Sequence, residues 1–117
     1  MSDIKRIEIG PRMSQAVIHG DTVYLAGQVA HAAAGGSVAD QTRDILANIE
    51  RLLAEAGSSK DRILTATIWL TDMNTFAEMN SVWDAWVAPG HTPCRACVES
   101  KLAAPQFTVE IMVIAAR

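Results

Sequence analysis

Between Thr92 and Ala115 the chain reads TPCRACVESKLAAPQFTVEIMVIA, two runs of β-favouring residues separated by a polar and Ala/Pro turn. Side chains alternate faces along a strand, which fixes what each run presents. In the first run Arg95, Cys97 and Glu99 point one way, and Cys94, Ala96 and Val98 the other. In the second, Phe107, Val109, Ile111 and Val113 share one face, and Glu110 falls on the opposite face with Met112 and Ile114. A carboxylate on a mostly apolar strand face needs a partner, because burying an unpaired charge is expensive. Arg95 is the nearest candidate in sequence. The residues alone leave the pair open as a structural ion pair or a chemical centre.

A chain of 117 residues accommodates a single domain, 1–117, with one core. Half of its residues are hydrophobic, at the upper end for so small a domain, and the surplus suggests that a partner subunit covers part of the surface. A net charge of −3 argues against binding nucleic acid through phosphate neutralisation. The opening residues, MSDIKRIEIG, contain no long apolar run, and no stretch reaches the ~20 apolar residues that span a bilayer. The expectation is a cytoplasmic protein with no membrane contact. Cys94 and Cys97 form a C-x-x-C, but on a strand positions i and i+3 face opposite sides, so the sulfurs are poorly placed to bridge. His19, His31 and His91 lack ligand spacing, so no metal is expected.

Residues 4–9 alternate as an edge strand and are stopped by Gly10-Pro11. Residues 15–19 and 22–29 flank Gly20-Asp21 as a hairpin. In the second of these strands Val23, Leu25 and Val29 fall on one face and Tyr24, Ala26 and Gln28 on the other. Gly27 within it implies a bend or a close approach. Residues 30–39 are small and loop-like. From Asp40, read as the N-cap, to Ala56 the pattern is helical, with Ile45, Ile49, Leu52, Leu53 and Ala56 on one side and Gly57 as the stop. Arg43, Asp44, Glu50, Arg51 and Glu55 form a solvated face. Residues 63–71 read as a central strand. Thr75 and Glu78 read as a capping box for a second helix to about Val87, with Phe76, Met79, Trp83, Trp86 and Val87 inward and Asn80 near that face. The order β-β-β-α-β-α-β-β gives an α+β, two-layer fold, one mixed sheet with both helices on one face. The other face, with Tyr24, Ala26, Met112 and Ile114, is too apolar to stay bare.

Several separated motifs then converge. P-x-R-x-C-V at residues 93–98, V-E-I at 109–111, Ala26-Gly27-Gln28 and the helix pattern D-Q-T-x-x-x-L-x-N-I resemble the RidA family, also called YjgF or L-PSP, over nearly the whole chain. The resemblance implies a chorismate-mutase-like, YjgF-like fold, a homotrimer with clefts between subunits, and hydrolysis of 2-imino acids and their enamine tautomers to 2-keto acids and ammonia. No cofactor is implied. Arg95 would grip the substrate carboxylate, since its planar fork suits bidentate binding. Glu110, with its acidity weakened by an apolar face, would position water and move protons. Cys97, Gly27 and Asn80 would complete the substrate site, Cys97 reading equally well as a small buried hydrophobe. Two departures bear on substrate range: Gly10-Pro11-Arg12-Met13-Ser14-Gln15-Ala16 stands where the family has G-P-Y-S-Q-A, and Ala26 stands where it has Ser. The second reading is a non-catalytic module for small carboxylates. Endoribonuclease activity, attached to some relatives, suits this acidic chain poorly.

Overall fold

Two apolar periodicities, one of two residues and one of three to four, partition the chain into strands and helices. The computed structural model describes residues 3–117. Strands β1 (Ile4–Ile9), β2 (Ser14–His19) and β3 (Thr22–Leu25) run as an antiparallel meander, with Gly20 left-handed at the β2–β3 turn. A two-residue strand, β4 (Gln28–Val29), follows a break at Ala26-Gly27. Helix α1 (Val38–Glu55) leads to β5 (Ile63–Leu70), helix α2 (Phe76–Trp86), β6 (Cys94–Glu99) and β7 (Val109–Ala116). The expected element order is found, with the third strand split in two.

The sheet order is β1-β2-β3-β7-β5-β6, and β4 also pairs with β7. All pairings among the described strands are antiparallel except β5–β6, which the crossover through α2 makes parallel. The stretch from Thr92 to Ala115 is therefore two strands but not one ladder, because β5 lies between them. Its register aligns Arg95 with Ala66 and Val113, and Glu110 with Trp69 and Val98. Arg95 and Glu110 consequently face opposite sides of the sheet.

The core lies between the sheet and the helices. Ile45, Ile49, Leu52 and Leu53 of α1 are fully buried, as are Ile68 and Leu70 of β5 and Val109 and Ile111 of β7. Each such side chain contributes about 1.5–3 kcal/mol of transfer free energy. In α2, Met79, Val82 and Trp83 are buried, while Phe76, expected inside, is exposed. The opposite sheet face carries Tyr24, which is 45% exposed, and Met112 and Ile114, which are half-buried. It is apolar and uncovered within the chain.

Both helix starts differ from expectation. Ser37 caps α1, its hydroxyl accepting from the Asp40 N–H at 3.1 Å, and Asp40 lies in the first turn, where its charge favours the helix dipole. Thr75 makes no capping bond. A short 3₁₀ turn, Met73–Thr75, precedes α2, and the Thr75 hydroxyl donates to the Asp72 carbonyl. Glu78 is thereby free to accept from the Ala39 N–H at 2.8 Å, tying α2 to the start of α1.

Candidate functional site

The break between β3 and β4 creates the most distinctive feature of the molecule. After Leu25 the chain bends, so that Gln28 pairs with Ile111 and turns into the core at 5% exposure, while Val29 pairs with Glu110. This reverses the faces expected for Gln28 and Val29, because alternation does not carry through the bend. Buried Gln28 is held by hydrogen bonds. Its Nε2 donates to Gln15 Oε1 at 2.9 Å and to the Ala26 carbonyl at 3.0 Å, and its Oε1 accepts from Asn48 Nδ2 at 2.6 Å.

Gly27 then passes directly over Glu110. A Cβ at Gly27 would overlap a Glu110 carboxylate oxygen and stand 3.0 Å from the carboxyl carbon. The expected close approach is found, and the group approached is the candidate base. Because the obstacle is the end of a flexible side chain, Gly27→Ala is expected to leave the fold standing and swing the carboxylate away. We expect Tm to change by less than about 5 °C and the imine hydrolysis proposed for this chain to fall by at least about tenfold. Thermal melting and a rate assay on the same preparation check this.

Glu110 is half-buried and faces a cavity of about 640 Å³ that Gly27, Gln28, Met13, Phe107, Arg51 and Glu8 help to line. Burial pushes its carboxyl above the usual carboxylate range. The ion pairs among the described residues join Arg43 to Asp40 and Arg51 to Glu8 and Glu55, so the Arg95–Glu110 pair suggested by sequence does not form within one chain.

Arg95 belongs to a separate cluster on β6 and α2. Its guanidinium donates to Asn80 Oδ1 at 2.7 Å and lies 5.4 Å from the Trp83 ring centre and 5.7 Å from that of Phe76. One amine is used, leaving the rest of the fork open to an oxyanion. Cys97 shares this face two residues on and packs partly against the core. Burial raises its thiol pKa, with Arg95 opposing, so it is present as the thiol. Both cysteines are free, Cys94 being exposed. The sequence-derived residues therefore fall into two separate groups, Arg95 with Asn80 and Cys97, and Glu110 with Gly27.

The polar wall of the Glu110 cavity escaped the sequence reading. Arg51, taken as part of a solvated face, donates to Asn48 Oδ1 at 3.0 and 2.7 Å, to Glu8 at 2.6 Å and to Glu55 at 2.9 Å. The chain of contacts Glu8–Arg51–Asn48–Gln28–Gln15 runs from β1 through α1 to β2. Asn48 and Arg51, one helical turn apart, were the available signal. A smaller groove of about 340 Å³ between the helices, lined by Arg43, Glu50, Lys60 and Trp86, holds none of the sequence-derived residues. Among the described residues no group of three or more His, Cys, Asp or Glu is placed to hold a metal, and no helix is long and apolar enough to cross a membrane.

Two helices on one face of a mixed, mostly antiparallel sheet, with a glycine laid over a strand-borne carboxylate, define a small α+β protein of the YjgF-like class. Residues 4–117 match the family described as Endoribonuclease L-PSP. A RutC family protein of Haemophilus influenzae is 45% identical over 112 residues, 96% of this chain and 97% of the other. The RutC family protein YoaB of Escherichia coli is 44% identical over 113 residues, 97% of each chain. The crystal structure of a YjgF family member from Neisseria meningitidis superposes with a TM-score of 0.95 at 49% identity, covering 98% of this chain and 95% of that one. This chain belongs to the RutC/YjgF/L-PSP family.

Proposed function

We propose that the protein hydrolyses 2-imino acids and their enamine tautomers to 2-keto acids and ammonia, without a cofactor, in a cleft between the subunits of a homotrimer. The observation that carries this reading is the Gly27–Glu110 juxtaposition. A carboxylate with weakened acidity, no ion-pair partner among the described residues of its own chain and a cavity in front of it suits proton transfer. The ionised Glu110 takes a proton from water as the water oxygen bonds to the C=N carbon and the C=N π pair moves to nitrogen, and it then passes that proton to the nitrogen. From the resulting tetrahedral carbinolamine Glu110 carries the hydroxyl proton to the nitrogen, the C–N bond breaks to release ammonia, the C=O forms, and Glu110 is left ionised again. Atoms balance as imine plus water giving keto acid plus ammonia.

Within one chain Arg95 and Glu110 face opposite sides of the sheet, so this reading requires Arg95 of one subunit to meet Glu110 of another. The uncovered apolar face supports such an assembly. Arg95, held by Asn80 between two aromatic rings, is preorganised to take the substrate carboxylate. The test is a coupled assay in which threonine dehydratase generates 2-iminobutanoate and keto-acid appearance is followed. The protein is expected to accelerate it, and Arg95→Ala to lower kcat/KM by about a hundredfold. No acceleration by folded, assembled protein would sink the reading.

A second reading, a non-catalytic module for small carboxylates, needs only Arg95 and Asn80. Under it Glu110→Gln would bind ligand normally and leave background hydrolysis unchanged. RNA cleavage, which the family description names, is a poor match to a chain of net charge −3 whose candidate cavity displays Glu8 and Glu110.

A further inference from the structure

The bend at Ala26-Gly27 is held by side-chain amides that form a line with a direction. The line starts at Arg51, whose guanidinium can only donate. Glu8 at 2.6 Å and Glu55 at 2.9 Å anchor one of its amines. Asn48, one turn earlier on α1, receives Nε at 3.0 Å and Nη2 at 2.7 Å on its Oδ1. Its Nδ2 is thereby left for the next partner and donates to Gln28 Oε1 at 2.6 Å. Gln28 must then present its own amine on the other side. One hydrogen goes to Gln15 Oε1 at 2.9 Å and the other to the Ala26 carbonyl at 3.0 Å. Turned the other way, Gln28 would set an oxygen against that carbonyl, two acceptors with no proton between them.

Ala26 is where the β2–β3 ladder ends. Its N–H still donates to the Gln15 carbonyl at 2.9 Å, while its C=O accepts from the Gln28 side chain two residues on. The next residue, Gly27, lies so close over Glu110 that a Cβ would overlap the carboxylate. An apolar side chain would fill the core position of Gln28, 5% exposed, without needing partners. The amide supplies what a hydrocarbon cannot, a donor for the carbonyl that leads into Gly27.

Resting on the deaminase reading, we propose that Gln28 is a positioning residue for the reaction: Arg51, acting through Asn48, fixes the direction of its amide, and the amide holds Gly27 against the Glu110 carboxylate. Held there, Gly27 keeps water from the carboxylate, in keeping with burial as the cause of its raised pKa. The charged and titratable groups that share the cavity with Glu110 are Glu8 from β1, His31 from the loop after β4 and Arg51 from α1, while β5 sets Trp69 opposite it.

The test reverses the line at one group. Asn48→Asp keeps the shape and the acceptor that Arg51 needs but removes the amine, so Gln28 must turn its own amine toward the new carboxylate and its oxygen toward Ala26. Glu110 is titrated by NMR of its side-chain carboxyl carbon, assigned by its absence in Glu110→Gln. In Asn48→Asp the midpoint should fall toward the ordinary glutamate range as Gly27 lifts and water enters. The added negative charge alone would raise it, so the direction separates the two causes. The acid limb of the rate profile for 2-iminobutanoate should move down with the midpoint, and kcat should drop about tenfold with KM within about twofold. A merely structural role would lower Tm and move neither the midpoint nor the limb. Gln28→Met, which removes the donor without adding charge, should lower the midpoint likewise. An unchanged or raised midpoint in Asn48→Asp, shown by circular dichroism to be folded, overturns the proposal. If that variant is misfolded, an unchanged midpoint in Gln28→Met does so. A wild-type midpoint already in the ordinary range overturns it without any variant. The titration needs no turnover: a midpoint that does not move removes the role of Gln28 and leaves the deaminase reading standing, whereas a wild-type protein that hydrolyses no imine removes the deaminase reading itself.

Discussion

Glu110→Gln is expected to suppress the proposed imine hydrolysis by about 10²–10⁴-fold while raising Tm at pH values above the folded-state pKa of Glu110. The two effects have one cause. Burial favours the neutral carboxyl, so the folded-state pKa lies above the unfolded one. The stabilisation associated with the protonated group is fully present below the unfolded pKa and is lost as pH rises through the folded pKa. Above the folded-state pKa the wild type therefore carries a carboxylate penalised by its burial against Gly27, and the amide variant does not. Melting curves across the carboxylate range should show the variant's advantage growing with pH and then levelling off. A variant that is both inactive and less stable at neutral pH would indicate that Glu110 holds the fold rather than serving the reaction.

Gln41→Ala should produce the largest loss of stability, about 3 kcal/mol, or a fall in Tm of more than about 10 °C. Gln41 is fully buried in α1. Its Nε2 donates to the Gly36 and Gln106 carbonyls at 3.1 and 3.0 Å, and its Oε1 accepts from the Thr108 N–H at 2.9 Å. It thereby clasps the loop before α1 to the approach to β7. Gln106 retains a second donor, the Gly35 N–H, so the main cost is the Thr108 N–H left without a partner. Two residues along, Arg43 is mostly exposed and paired only with Asp40, and Arg43→Ala should change stability by no more than about 0.5 kcal/mol. Urea denaturation of both variants checks the contrast.

The helices and the strand-rich ends were legible because their signals are local. Ile45, Ile49, Leu52 and Leu53 repeat at helical spacing, and Val109, Ile111 and Val113 alternate, whatever the tertiary setting. Gly27 was legible for the same reason, since a glycine inside a strand pattern needs a neighbour's explanation. What failed depended on partners distant in sequence. Nothing between Thr92 and Ala115 tells that β5 inserts between the two strands, so Arg95 and Glu110 were read as a pair when the register sets them on opposite faces. The Thr75–Glu78 box was a sound local pattern, overridden because Glu78 has a competing donor on α1, 39 positions earlier. Arg51 is exposed, as read, but its pairing with Glu8 on β1, 43 positions away, has no local signal.

The placement of β7 has a consequence for how the chain is made. It comes last of the seven strands in sequence, yet it lies in the interior of the sheet, bonded to β3, β4 and β5. As the polypeptide leaves the ribosome, the β1–β3 meander and the β5–α2–β6 unit emerge as two pieces with no ladder joining them. Each presents an unpaired edge to solvent until the closing strand arrives. That strand carries Glu110 and slides it beneath Gly27, so the buried carboxylate takes its place in the same event that welds the two pieces into one sheet.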